Sequence, residues 1–129
     1  MQAIKAAIIL ATCLILALAG VVCLAADDAL DVVNAQRAAK GLKPFLRDEG
    51  LTRAAMGCAD FRAANHIQAH TNNDFRFVPV GSRASAAGCA AWPVGSGWGA
   101  CCTYENWTYA GAAWAIGNDG RQYMHLFVR

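Results

Sequence analysis

The 129-residue sequence has few charged residues and almost no imbalance between the two signs. Charged residues make up 16% of the chain, and 11 Lys and Arg against 9 Asp and Glu leave a net charge of +2. Nucleic-acid binding needs a clustered basic surface, so this composition argues against it. The sequence has no charge run, low-complexity tract or internal repeat. With 57% hydrophobic residues it predicts one folded domain, not a disordered chain.

Short catalytic motifs are missing as well. Ser82, Ser85 and Ser96 lie near glycines, but Gly-x-Ser-x-Gly does not occur. His66 and His70 are four residues apart without the Glu of His-Glu-x-x-His, which excludes that protease motif. On a continuous helix the two imidazoles would share a face and could chelate a metal, whereas a solvated helix end is the simpler interpretation.

An apolar segment opens the chain. Residues 6–26 carry no charge, and small residues at Ala25 and Ala26 precede the acidic Asp27 and Asp28. This pattern predicts a secretory signal peptide over residues 1–26 and a domain over residues 27–129. The run is also long enough to cross a bilayer, so an uncleaved membrane anchor is the alternative. Either way, the domain is expected to be secreted or to lie in the periplasm or cell envelope.

Four cysteines follow the apolar segment: Cys58, Cys89, Cys101 and Cys102. An even number in a small exported domain predicts two disulfides. A bridge between the adjacent Cys101 and Cys102 would need strained geometry, so Cys58 and Cys89 are each expected to take one of that pair, in either order. Zinc is the alternative use of these thiols. It is disfavoured because no Cys-x-x-Cys occurs and a vicinal pair is a poor chelate.

Residues 27–70 predict two helices. Asp27 or Asp28 can cap the first helix, and Gly41 supplies its C-terminal stop. Asp48 is a good N-cap for the second helix, whose apolar stripe includes Cys58 on the buried face.

The C-terminal part of the sequence predicts strands. Runs over residues 108–116 and 122–129 flank Gly117-Asn118-Asp119-Gly120, which is a strong hairpin signal. Both faces of the last strand are largely apolar, so it is expected to be covered on each side, with His125 as a hydrogen-bonded sheet residue. Residues 71–99 are expected to be mostly loop. Helices followed by a terminal antiparallel sheet define the α+β class.

Aromatic residues crowd into the segment from residue 92 to residue 114. On a rigid surface, Trp98, Tyr104 and Trp107 could stack on a sugar ring or a flat apolar ligand. The alternative is that these rings fill the core of a small domain.

Two stretches of the sequence, residues 29–71 and 108–129, resemble the CAP superfamily, which contains the cysteine-rich secretory proteins, antigen 5 and the plant pathogenesis-related proteins. The stretch 41–51, Gly-Leu-Lys-Pro-Phe-Leu-Arg-Asp-Glu-Gly-Leu, is similar to the join between the first two helices of that family. Residues 33–37 resemble its first helix, and His70-Thr71 stands where the family has His-Ser. Residues 110–114 and 123–127 resemble its closing hairpin.

The resemblance implies an α-β-α sandwich in which two N-terminal helices pack on a small antiparallel sheet. Many CAP domains hold a divalent metal with two His and two Glu, and only His70 matches that set here. No Gly-Glu-Asn follows it, because Val80-Gly81-Ser82-Arg83 occupies that neighbourhood. His66 and Glu105 are the remaining candidate ligands beside His70. No cofactor is therefore expected, with zinc as the alternative.

The functional expectation is an exported, disulfide-stabilised CAP-like module without catalysis, which binds a lipid, a glycan or another exported protein. It contacts a membrane only if the N-terminal segment stays uncleaved. One alternative is a metal-dependent hydrolase with a degenerate CAP site. The other is a structural protein of the cell envelope.

Overall fold

A computed structural model describes residues 28–129, so the predicted signal or anchor segment over residues 1–26 lies outside the described residues. The elements in chain order are helix α1 (Ala29–Ala39), strand β1 (Leu46–Arg47) and helix α2 (Glu49–Asn65), a 3₁₀ turn (Asp74–Phe77), and strands β2 (Ala86–Pro93), β3 (Tyr109–Ile116) and β4 (Arg121–Val128). Within residues 28–129, neither α-helix combines the length and the apolar character that a membrane span needs.

Helix α1 begins and ends where its capping residues predict. The Asp28 carboxylate accepts hydrogen bonds from the backbone N–H groups of Leu30 and Asp31, which satisfies two of the free donors of the first turn. Gly41 follows the helix with a φ of 69°, a left-handed conformation that favours glycine. On the buried face, Arg37 donates to the carbonyl oxygens of Lys43, Thr103 and Glu105. It thereby holds the loop after α1 and the loop between β2 and β3 against the helix.

Helix α2 begins at the predicted cap. The Asp48 carboxylate accepts from the backbone N–H of Leu51 and also pairs with Arg129 at the end of β4. The buried stripe of α2 contains Leu51, Ala55, Cys58 and Arg62, as its spacing predicts. The helix stops at Asn65, and His66 takes a left-handed conformation with a φ of 52°.

The four strands form one mixed sheet in the order β1-β3-β4-β2. Strands β2, β3 and β4 are antiparallel neighbours, but the two-residue β1 pairs with β3 in parallel. The α+β class is therefore confirmed, while the sheet is not purely antiparallel. Strand β2 also lies inside the segment predicted to be mostly loop. Its residues pair along the whole of β4, from Ala86 opposite Val128 to Pro93 opposite Arg121.

The two helices cover opposite faces of the sheet. Leu30 and Val33 of α1 pack in one core with Met124, Leu126 and Val128 of β4. The inner face of α2 packs in a second core with Phe127 of β4 and Ala113 of β3. Strand β4 is central and is buried from Gln122 to Val128, which confirms that it is covered on both sides.

The approach of α2 to the sheet depends on a glycine. Gly111 of β3 lies directly against the backbone of Leu51 and Thr52, so that a Cβ at this position would overlap the Thr52 nitrogen and the Leu51 carbonyl carbon. This close contact brings the buried face of α2 down onto β3 and β4, and with it Cys58.

Candidate functional site

A cluster of ionisable side chains lies in the layer between α2 and the sheet. Cys58 comes from the inner face of α2, Asp74 from the start of the 3₁₀ turn, and His125 from the centre of β4. The Cys58 Sγ lies 3.7 Å from Asp74 Oδ1, and the His125 Nε2 lies 3.6 Å from Asp74 Oδ2. Three elements that are distant in sequence thus bring one thiol, one carboxylate and one imidazole together.

Asp74 is the anionic member of the cluster. Its carboxylate accepts hydrogen bonds from Thr71 N at 2.8 Å, from Thr71 Oγ1 at 2.5 Å, and from His70 Nδ1. Burial by itself would raise the pKa of Asp74, but these hydrogen bonds from Thr71 and His70 outweigh it and lower the pKa below the usual value. The carboxylate is therefore charged at neutral pH, although its side chain is almost fully buried.

His125 is the neutral member. Burial lowers the pKa of His125 to about 4, against a smaller opposing effect of the Asp74 carboxylate. Neither ring nitrogen has a hydrogen-bond partner among residues 28–129, and the side chain is 0% exposed. The expectation of a hydrogen-bonded sheet histidine is therefore wrong. An apolar ring, Phe127, packs 4.7 Å from the imidazole, and the His70 ring meets it edge-on at 6.2 Å.

Cys58 is a protonated thiol in this environment. Burial, assisted by the Asp74 charge, raises the pKa of Cys58 to about 12. A thiol is nucleophilic only as the thiolate, and Cys58 is 0% exposed. The cluster has the residue types of a cysteine hydrolase, but no substrate can approach its sulfur. The three side chains are suited to binding a ligand inside the fold, and the Cys58 sulfur is not placed to attack a substrate outside it.

Arg62 fixes the loop that brings the cluster together. Its guanidinium is fully buried and donates to carbonyl oxygens of the loop after α2 and of two strands: Ile67, Gln68, Ala69, Ala90 and Met124. Because the loop is fastened at Gln68 and Ala69, the next residue, His70, is placed beside Asp74.

The three residues predicted as metal ligands are not brought together. His66 lies at the end of α2, where its ring bonds the Asn118 side chain at 2.6 Å. His70 lies in the loop beyond the helix and bonds Asp74, so the two histidines do not share a helical face. The Glu105 carboxylate accepts from Trp107 Nε1 at 2.8 Å, and its backbone carbonyl accepts from Arg37 of α1.

The predicted disulfides are not formed in the described part of the chain, where Cys58, Cys89, Cys101 and Cys102 are free thiols. Cys58 belongs to the core under α2, whereas Cys102 packs against the core under α1, across the sheet. Cys101 lies where a Cβ on Gly88 of β2 would point. Gly88 is the cross-strand partner of Leu126, so this direction is the α1 face of the sheet. Cys58 and Cys102 therefore lie in different cores on opposite faces of the sheet, which is the physical reason that this pair is not bridged.

The three aromatic residues predicted to bind a ligand have different environments. Trp98 is only 4% exposed and donates from Nε1 to Thr103 Oγ1, so it belongs to the core. Tyr104 is exposed, but the Lys40 ammonium lies 4.3 Å from its ring centre. Trp107 is half-buried and bonded to Glu105. These rings do not present one common stacking surface.

Sequence reasoning missed Asp74 entirely and gave His125 a different role. The spacing of His70 and Asp74, four residues apart in a loop rich in Thr and Asn, was the available signal for a local polar turn. Nothing in the local sequence connects that turn with Cys58 or His125. Their meeting depends on the packing of α2 over β4.

The sequence was compared with family models and with curated proteins. The model of the cysteine-rich secretory protein family, CAP, matches residues 30–126. The chain belongs to the CAP family. No curated protein matches the sequence. The match runs from the second residue of α1 into β4, so the helix-sheet-helix layering described above is the CAP fold as this chain forms it.

The metal set that CAP membership implies, two His and two Glu, does not fit this chain. His70 is present, but its Nδ1 already bonds Asp74. The segment 80–83, which replaces the family's Gly-Glu-Asn, lines a cleft of about 220 Å³ together with Asp48 and Arg129 at the far end of β4. That segment contains no carboxylate, and its charged residue, Arg83, is a cation and not a metal ligand.

Proposed function

We propose that the protein is an exported CAP module that acts by binding another exported protein, without catalysis. The observation that carries the proposal is the distribution of its side chains. The chemically reactive cluster of Cys58, Asp74 and His125 is buried, whereas an apolar group of side chains is exposed at one end of the sheet. Export is supported by the apolar N-terminal segment and by CAP membership.

The exposed group, here called the hairpin-end patch, consists of Trp92, Val94 and Ile116. These side chains are 41%, 54% and 60% exposed. Trp92 of β2 and Ile116 of β3 are the cross-strand partners of Gln122, one on each side of β4. The side chains of Trp92, Ile116 and Gln122 therefore point to the same face of the sheet. Val94 N donates to Gly120 O, which holds Val94 next to the hairpin turn.

The shape of the patch favours a protein partner. The six-membered ring of Trp92 packs against Gly99, where a Cβ would overlap the ring. A rigid aromatic anchor beside branched aliphatic side chains is typical of the centre of a protein–protein interface. A sugar site also needs polar groups that hydrogen-bond its hydroxyls, and the side chains of Val94 and Ile116 provide none.

The clefts of the described residues give little support to a lipid. A cleft of about 300 Å³ between α2 and the hairpin turn is lined by Asp60 and Asn118 as well as by apolar residues. Another, of about 210 Å³, is lined by His70, Asn72 and Arg76. A lipid chain needs an apolar cavity that encloses most of its surface.

Site-specific photo-cross-linking in the producing cell tests this function. A photoreactive amino acid replaces Ile116 in the full-length chain, and the matched control replaces Met56, an exposed apolar residue on the outer side of α2. We expect a discrete protein adduct in the extracytoplasmic fraction from position 116 and none from position 56. The additional substitution Trp92→Ser is expected to remove the adduct.

Several results would contradict the proposal. Equal adducts from positions 56 and 116 would show that the patch has no special role. An adduct that contains carbohydrate or lipid would replace the protein partner by that ligand class. Adducts found only in the cytoplasm would remove the argument for export.

A further inference from the structure

The buried imidazole of His125 has hydrogen-bonding capacity that residues 28–129 do not use. A neutral imidazole carries one N–H donor and one lone pair, and both ring nitrogens of His125 lack a partner within the described part of the chain. Leaving a buried polar group unpaired destabilises the fold, and most such groups in proteins have a protein, water or ligand partner. The nearest polar atoms are those of Asp74 and Cys58.

The ligand atoms of these three residues have the spacing that zinc needs. One atom each from Cys58, Asp74 and His125 forms a group in which all separations are within 4.8 Å, and it is the one such group of three or more potential ligands found among residues 28–129. Zinc binds sulfur at about 2.3 Å and nitrogen or oxygen at about 2.0–2.2 Å, so adjacent ligands of a tetrahedral site lie roughly 3.4–3.6 Å apart. The observed separations are 3.7 Å from the Cys58 sulfur to Asp74 Oδ1 and 3.6 Å from His125 Nε2 to Asp74 Oδ2, so each of these two ligands faces a different oxygen of the carboxylate.

We propose that the protein binds one zinc ion in its interior through Cys58 Sγ, the Asp74 carboxylate and His125 Nε2. This site differs from the metal site that the CAP resemblance implies, since His70 is not one of its ligands. It is also independent of the hairpin-end patch, which lies at the end of the sheet where the β3–β4 turn is, on the α1 face.

The charges in the cluster suit a divalent cation. Zinc would displace the thiol proton of Cys58, so that one thiolate and one carboxylate balance its two positive charges. Of the Asp74 oxygens, Oδ1 accepts from both Thr71 donors and from the Cys58 thiol, whereas Oδ2 accepts from His70. The acceptor position left free is therefore on Oδ2, 3.6 Å from His125 Nε2, and bound zinc would also replace the contact of the Cys58 thiol with the carboxylate. His70 is thus a positioning residue that orients Asp74.

Cys89 is a further thiol on the cluster's side of the sheet, although its sulfur is not in the group whose ligand atoms lie within 4.8 Å of one another. It is the cross-strand partner of His125, so both side chains leave the sheet on the face covered by α2. A fourth protein ligand would complete a closed tetrahedral site, which is the arrangement of structural zinc. Closure agrees with the burial of Cys58 and His125, since a catalytic zinc keeps a position open to water.

Metal titration of the full-length chain tests the site. The metal-free protein is titrated with zinc alone, and the bound metal is counted by native mass spectrometry. We expect one zinc per chain for the wild type, and binding weakened more than about 100-fold in Cys58→Ser and in His125→Gln, because each removes a ligand. Matched controls are Cys102→Ser and His66→Gln, which alter the same residue types outside the cluster and are expected to bind as the wild type does. His70→Gln is expected to weaken binding by about 10- to 100-fold, less than the loss of a ligand does, because it removes only the residue that orients Asp74.

Cobalt binding provides a measurement that does not depend on the ligand variants. Bound cobalt is expected to show a thiolate charge-transfer band in the wild type and also in the control variant Cys102→Ser. The proposal can therefore be tested even if Cys58→Ser or His125→Gln fails to fold. Zinc is also expected to raise the wild-type melting temperature by roughly 10 °C at about 100-fold excess over its Kd.

Three outcomes would overturn the proposal. The wild type could take up no zinc, or its bound cobalt could lack the thiolate band. A folded Cys58→Ser could bind zinc as tightly as the wild type. Binding could also be lost in His70→Gln and kept in Cys58→Ser, which would place the metal at the surface loop.

Discussion

Arg62→Lys is expected to destabilise the domain strongly although it keeps the positive charge. The arginine is fully buried and bonds carbonyl oxygens in three directions: to the loop at 67–69, to Met124 of β4 and to Ala90 of β2. A lysine ammonium has its donors at one point and cannot span the same set. If two of these charge-assisted bonds are lost at about 1.5–3 kcal/mol each, the free energy of unfolding falls by about 3–6 kcal/mol.

The assay is thermal and urea denaturation followed by circular dichroism. A loss of about 3 kcal/mol lowers the melting temperature of a domain of this size by roughly 12 °C or more. The matched control is Arg53→Lys on the exposed side of the same helix, which is expected to stay within about 0.5 kcal/mol of the wild type. Equal stabilities for the two lysine variants would refute the claim that Arg62 fastens the loop to the sheet.

Two further predictions concern the contact of α2 with the sheet and the histidine beneath it. Gly111→Ala is expected to lower the free energy of unfolding by about 3 kcal/mol or more, because its Cβ meets helix backbone that cannot move aside, whereas Gly57→Ala stays within about 1 kcal/mol. In the presence of a metal chelator, the free energy of unfolding is expected to fall from pH 7 to pH 4.5. The pKa of His125 is about 4 in the folded state and near 6.5 in the unfolded state. As the pH falls, the unfolded chain therefore binds the proton first and is stabilised relative to the folded chain. The shift corresponds to about 3 kcal/mol, and His125→Gln removes this dependence.

Denaturation curves decide both predictions. A stable Gly111→Ala would show that α2 has room to move away from β3. A pH dependence that is unchanged in His125→Gln would assign the lost stability to another titrating group. Protonation of Asp74 also lowers the free energy of unfolding as the pH falls, but only at lower pH, because its folded-state pKa lies below the usual carboxyl range.

The parts of the fold that the sequence predicts well are those with local signals. Asp28 and Asp48 cap the two helices because short carboxylates bond the free N–H groups of the first turn. The hairpin follows from a glycine-containing turn between two runs of aromatic and branched residues, and Gly120 takes a φ of 76° there. CAP membership was predicted from the same helix and hairpin residues.

Strand β2 could not be predicted from its own residues. Its sequence from residue 86 to residue 93, Ala-Ala-Gly-Cys-Ala-Ala-Trp-Pro, has few branched side chains and no alternation of polar and apolar positions. It forms a strand because β4 offers a free edge along its whole length. Small side chains are suited to this position, since Cys101 lies directly against Gly88.

The buried cluster was outside the reach of sequence reasoning for a similar reason. Cys58 was placed correctly on the buried face of α2, but the choice of its neighbours depends on tertiary packing. A cysteine in an exported domain predicts a disulfide, and only the layering of the fold shows that Cys58 and Cys102 belong to different cores. Asp74 and His125 come from two different elements, and neither carries a motif.

The central claim, that this CAP protein works as a binding module outside the cytoplasm, is tested most directly by its intact native mass. The protein would be recovered without denaturation from the medium and the cell envelope of the producing cells. The claim predicts a chain that starts near Ala26 or Asp27 and is held in a complex with a second protein. A full-length chain recovered from the cytoplasm and free of any partner would contradict it.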